Sequence, residues 1–148
     1  MSAVIIRNLG QFLNGMNKFE QQVEQAAEYA ITQAALSIER QAKKNASTGV
    51  HKRGEGHIPG TGPGPNVVTG TLRRSITTQT RYGFGSYIAT VGPTVEYARA
   101  VELGSPRWKS GVRYPFLTPA VGYLVGNGTL NRVFTKAFQA KMRTVKGK

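Results

Sequence analysis

Few of the 148 residues are of the types that make or break bonds, and their spacing restricts what they can do. His51, Glu55 and His57 form a His-x-x-x-Glu-x-His set that holds a metal only in principle. The spacing fits no helix-borne zinc motif, and the surrounding glycines do not preorganise ligands. The run Gly60-Thr61-Gly62-Pro63-Gly64 has the glycine content of a phosphate loop. However, no strand leads into it, no Gly-Lys-Ser/Thr comes after it, and its proline removes a backbone donor. A dinucleotide site is equally unsupported. The chain has no Asp and no Cys, which leaves carboxylate chemistry to seven glutamates. Glu20, Glu24 and Glu28, with Glu39 further along, read as the solvated side of a helix. Glu96 and Glu102, six apart, fall on different faces of an ideal helix and make a poor acid/base pair. No nucleophile stands beside a base. These residue types predict a protein that is not an enzyme, with no catalytic residues, cofactor or metal.

Charge carries more information. The net charge is +13 and unevenly placed: residues 1–46 hold five basic and four acidic side chains, residues 47–148 fifteen and three. A field of that strength favours polyanions or acidic protein surfaces. Arg107, Trp108, Lys109 and Arg113 set one aromatic among three cations, and Arg73 and Arg74 add a second basic pair. Arginine on phosphate with aromatic stacking is one way to hold a nucleic-acid strand. No signature of a known nucleic-acid module accompanies them, so Trp108 reads rather as a loop tryptophan packed on the core or on a subunit interface.

Periodicity supplies the elements that must position these groups. Val4-Ile5-Ile6 reads as a short strand ended by Gly10. Phe12, Met16, Phe19, Val23, Ala26, Ala30, Ala34 and Ile38 recur at steps of three or four, which predicts a long helix over about 15–46, either broken at its start by Gly15 or with an earlier first turn before it. The small residues Ala26, Ala27, Ala30, Ala34 and Ala35 permit close approach, either in the core or along an intersubunit seam. Residues 47–68 are rich in glycine and proline, show no periodicity, and read as a mobile arm. Alternation over Ile76–Tyr82 and Tyr87–Val91, with Gly83 and Gly85 between, predicts an antiparallel hairpin. Residues 95–103 read as a short helix closed by Gly104, and Val112-Arg113-Tyr114 as a third strand. Thr118-Pro119 has the form of a helix start, with Thr as cap, and Gly126-Asn127-Gly128 interrupts the helical run that begins there. The basic end, 141–148, is expected to fray. The fold class predicted is α+β: a small antiparallel sheet packed against a long N-terminal helix and a C-terminal helix, one domain over 1–148. No run approaches the length of apolar residues a membrane helix needs, and the first residues do not read as a secretory signal. No membrane partner is expected.

Three stretches, in order, resemble a known family. They are Thr69-Gly-Thr-Leu-Arg-Arg-Ser-Ile76, Tyr97-Ala-Arg-Ala-Val-Glu-Leu-Gly-Ser105 and Tyr114-Pro-Phe-Leu-Thr-Pro-Ala120. Together they are similar to the neck and tail-completion proteins of long-tailed bacteriophages, the tail components that include minor tail protein Z-like chains. Departures are the long Gly/Pro arm, Ser105 in place of a common Thr, and the Gly126-Asn-Gly interruption. The resemblance implies a structural virion protein, assembled in the host cytoplasm, that joins head to tail as a ring of copies, six-fold, between head-connector and tail-tube or terminator proteins. It also implies transient, non-specific contact with genomic DNA. A tail terminator and a free non-specific nucleic-acid-binding protein are the alternatives. Candidate subunit or partner contacts are Arg73, Arg74, Tyr97, Glu102, Trp108 and Phe116. Candidate DNA-channel or polyanion contacts are Arg107, Lys109 and Arg113. Glu102 is open to pairing with an arginine within or between subunits, or to standing as an ordinary surface carboxylate. Phe116 and Leu117, held between Pro115 and Pro119, read as core anchors.

Overall fold

Ala, Gln and Glu dominate the N-terminal third, and they favour helix strongly enough to carry a glycine within it. Helix α1 spans Leu9–Asn45, 37 residues, about 55 Å long at the usual helical rise. It begins before Gly15, which sits inside the helix with open space where a side chain would be. The computed structural model describes residues 9–47, 65, 69–83, 86–107 and 113–146. The strand expected at Val4-Ile5-Ile6 and nearly all of the 47–68 arm therefore lie outside the described residues; Pro65, the described residue within the arm's glycine-rich run, is buried. Lys43 and Lys44 in the last turn of α1 complement its C-terminal partial charge.

Gly70, at φ 74°, turns the chain into a five-residue helix α2, Thr71–Ser75, which the sequence pattern does not predict. Strand β1, Ile76–Gly83, pairs antiparallel with β2, Ser86–Pro93, in a register running from Ile76↔Pro93 to Gly83↔Ser86. The rings of Tyr82 and Tyr87, opposite one another near the turn, lie 4.9 Å apart. Among the described residues the sheet has these two strands. The third strand expected around Val112-Arg113-Tyr114 does not form over its described part. The Tyr114 N–H goes instead to the carbonyl of Val101 at 2.8 Å, and Pro115 has no N–H to continue a ladder.

Helix α3 spans Ala98–Leu103, three residues shorter at its start than the pattern predicts, because Val95–Tyr97 form a turn with Ala98 N–H on the Val95 carbonyl. Helix α4 spans Leu117–Gly126 and α5 spans Thr129–Lys146. The break between them falls at Asn127-Gly128, as expected: Gly128 takes φ 68°, and the Asn127 side chain accepts the Thr129 N–H at 2.9 Å. Helix α5 continues through residues 141–146.

The core gathers Ala42 and Ala46 from the end of α1 and the turn after it, Ile76 from β1, Ala98 from α3, and Phe116 and Ala120 from the start of α4. Leu72, Val91, Val95, Val101 and Leu117 pack around them. The alanine stripe is thus packing surface of the chain itself, since Ala26, Ala30 and Ala35 are also buried. Helix α5 and the hairpin lie along α1. The architecture is α+β, with α1 as the shared wall.

Two glycines bracket the range of cost. Gly104 adopts φ 89°, ψ 168°, a region essentially restricted to glycine, where its N–H closes α3 on the Ala100 carbonyl. Gly104→Ala is expected to destabilise by about 1–3 kcal/mol, whereas Gly15→Ala, in open helical space, should stabilise by about 0.5–1 kcal/mol. Urea unfolding of the two variants, read against wild type, checks both signs.

Candidate functional site

A helix leaves its first four N–H groups without partners, and α4 has no side-chain cap of its own at Phe116. Thr118, the cap read from the sequence, lies inside the helix instead. The acceptor comes from α3. One carboxylate oxygen of Glu102, Oε2, accepts the N–H groups of Phe116 at 2.8 Å and Leu117 at 3.0 Å, while Oε1 accepts that of Thr118 at 2.8 Å. A full negative charge at the positive end of a helix is the favourable arrangement. Among the described residues Glu102 pairs with no arginine.

Phe116 is the point where these constraints meet. Its N–H is held by Glu102, its carbonyl accepts the Asn45 side-chain amide at 3.0 Å, and its ring is 1% exposed. Asn45 also accepts from Gln41 at 2.9 Å, which orients it. The last turn of α1, α3 and the first turn of α4 are therefore clamped on one residue. A neighbouring clamp joins α1 to β1: Glu39 accepts from Lys43 at 2.6 Å and from the Thr78 hydroxyl at 2.6 Å. Ser75 carries the third link, its carbonyl accepting the Thr94 N–H at 3.0 Å.

These carboxylates are tuned by their partners. Burial raises the Glu102 pKa, but the N–H groups of Phe116, Leu117 and Thr118, with the Thr118 side chain, outweigh it and leave the carboxyl below its ordinary value of 4.5. Lys43 first, then Thr78, holds Glu39 below 4.5 as well. A carboxyl depressed in the folded state contributes stability that is complete above the unfolded value and lost as pH falls through the folded one. Stability should therefore decline as pH drops below about 4.5. A Glu102→Gln variant should show a shallower acid limb in thermal unfolding followed from neutral pH downward.

The other sequence candidates are spread out. Arg73 and Arg74 are exposed on α2, Tyr97 is half exposed at the start of α3, and Arg107 and Arg113 are exposed on the connection from α3 to α4. Trp108 and Lys109 lie outside the described residues, as do His51, Glu55, His57 and the Gly60–Gly64 run. Among the described residues no three His, Cys, Asp or Glu side chains converge as metal ligands. The sequence pattern singles out neither Asn45 nor Thr78, and reads Glu39 as solvated. Glu39 and Thr78 are 39 positions apart, and Asn45 and Phe116 71 apart, so no local pattern announces either contact. A shallow, mostly apolar groove of about 280 Å³ runs beside the Glu102 clamp, lined in part by Val95, Arg99, Leu103 and Leu117.

The second and third motif stretches thus close on each other through Glu102 and Phe116, and the first joins them through Ile76 in the core. The family model described as Bacteriophage HK97-gp10, putative tail-component, matches residues 10–104. The chain belongs to this family. The match begins in the first turn of α1 and ends at Gly104, the residue that closes α3, so it includes Glu102 and stops short of the helix that Glu102 caps. No curated protein and no solved structure matches the chain. The HK97-gp10-like family makes the protein a bacteriophage tail component, with a structural role in the virion. No described helix is long and apolar enough to cross a membrane.

Proposed function

We propose that this tail component is a non-enzymatic joint of the phage neck or tail end, a ring of copies that completes the tail and connects it to the head. One observation supports the reading: the carboxylate of the second motif stretch, Glu102, has both oxygens committed to backbone N–H groups of its own chain. Its chemistry is spent on holding α3 against α4. The Tyr97–Ser105 and Tyr114–Ala120 motifs then serve as parts of a rigid wedge, presenting Tyr97, Arg99 and Leu103 outward for contact with neighbouring proteins. Head-connector and tail-tube or terminator proteins are the partners such a joint would meet. Genomic DNA passing through a ring lined by cations would be held weakly and without sequence preference.

The experiment is a phage carrying an early stop in this gene. Electron microscopy should show filled heads and separate tails, with infectivity restored by supplying the chain in trans. Joined, infectious particles assembled without the chain would overturn the reading. The exposed arginines on α2, α3 and the α3–α4 connection favour one second reading, a free nucleic-acid-binding protein. Tight, salt-dependent binding of the isolated chain to duplex DNA, with normal particles formed in its absence, would select that reading instead.

A further inference from the structure

A net charge of +13 makes copies of this chain repel one another unless unlike patches meet. Acidic side chains are scarce, and two are already committed: Glu39 to Lys43 and Thr78, Glu102 to the start of α4. Among the described residues Glu96 stands exposed and alone before α3, whereas Glu20, Glu24 and Glu28 form a group on α1, exposed, four residues apart, and in no ion pair. They form a row with steps of about 6 Å along the helix. Glu24 and Glu28 lie close enough to the Tyr87 phenol to add to the upward pKa shift that burial imposes on it, which places that end of the row near the hairpin. The same stretch of α1 carries apolar side chains that the other described residues do not bury: Leu13, Met16 and Phe19 are 49%, 54% and 56% exposed.

The complementary surface is α5. No acidic residue occurs after Glu102. Helix α5 turns Val133, Ala137 and Phe138 inward, half-buried, and Arg132, Lys136 and Arg143 outward, at steps of four and seven residues that keep them on one stripe. Arg132 donates to Thr129 at 3.0 Å near the start of the helix, whereas Lys136 and Arg143 make no side-chain hydrogen bond or ion pair among the described residues.

We propose that the N-terminal half of α1, through Glu20, Glu24 and Glu28, docks on the cationic stripe of α5, Arg132, Lys136 and Arg143, of a second copy. This rests on the reading of the chain as a self-assembling joint. The two patches differ, so the contact is head-to-tail and propagates to a ring or an open chain rather than stopping at a two-fold dimer. Duplex DNA is the rival occupant of the α5 stripe, but it leaves the glutamate row and the bare Leu13, Met16 and Phe19 without a role.

The chain has no cysteine, so introduced ones report cleanly. Glu24→Cys and Lys136→Cys chains, mixed and oxidised, should form the mixed disulfide in preference to either homodimer. Reversal at Glu24→Lys with Glu28→Lys should weaken self-association at low ionic strength about tenfold, and a partner carrying Lys136→Glu with Arg143→Glu should restore it. Homodimers alone, or a wild-type chain that stays monomeric at low salt, would overturn the contact. So would an α1 reversal without effect on association beside an α5 reversal that abolishes DNA binding, which would assign the stripe to DNA. Heads and tails that separate when the gene is lost, in a phage whose assembled particles give no 24–136 cross-link, would keep the structural role and remove only this interface.

Discussion

Phe116→Ala is expected to destabilise the protein by about 3–5 kcal/mol, the range for deleting a fully buried aromatic ring. The ring is 1% exposed and packs with Ile76, Ala42, Ala46, Ala98 and Ala120. Four of those five buried neighbours are alanines, whose short side chains cannot swing in to fill the void, and only the larger side chains at the edge of the cluster, Leu72, Val91, Val95, Val101 and Leu117, can relax toward it, so the cost should fall within that range. Phe116→Leu retains most of the volume and should cost about 1.5 kcal/mol or less. The measurement is urea unfolding by circular dichroism. The midpoint should fall sharply with little change in slope, because the surface exposed on unfolding is nearly the same. A loss under about 1 kcal/mol would mean that the site collapses around the deletion, and that Phe116 is not the anchor of this core.

Glu102→Ala is the second large effect, and it acts through the backbone. The substitution leaves the N–H groups of Phe116, Leu117 and Thr118 without their acceptor. Water reaches part of this site, since Thr118 is exposed, so the loss should be about 2–3 kcal/mol rather than the sum of three charged hydrogen bonds. Glu102→Gln keeps an acceptor oxygen but not the charge, and should fall between wild type and alanine. Hydrogen exchange separates this from a general loss of stability: the amides of Phe116, Leu117 and Thr118 should lose protection first, while those in the middle of α1 follow only the global change. Uniform loss across the chain would show that the carboxylate does not act locally as a cap.

Much of the fold is legible in the residues. The three-and-four spacing from Phe12 to Ile38 specifies α1, because one apolar face suffices to predict a helix whatever it later packs against. Alternation specifies the hairpin and its pairing partner, and Gly126-Asn-Gly marks the break between α4 and α5, because these are decided within a few residues of chain. Of the two starts the pattern leaves open for α1, the earlier one forms, before Gly15, because a single unfavourable residue is outweighed by its helix-forming neighbours. The third strand fails for a different reason. Val112-Arg-Tyr has strand-like residues, but Tyr114 finds its hydrogen-bond partner on α3.

By itself, then, the sequence determined the composition of the elements, the charge imbalance and the three motif stretches that mark a tail component. Tertiary structure alone decided what the motifs do to each other. Glu102 reads as a surface or intersubunit carboxylate until the chain folds back fourteen residues and sets the bare start of a helix against it. Phe116 reads as an anchor, but nothing local foretells that Asn45, 71 positions away, holds its carbonyl. The physical reason is one of range. Propensity and periodicity act between neighbours in sequence, whereas an orphan N–H takes whichever acceptor the packing brings within about 3 Å.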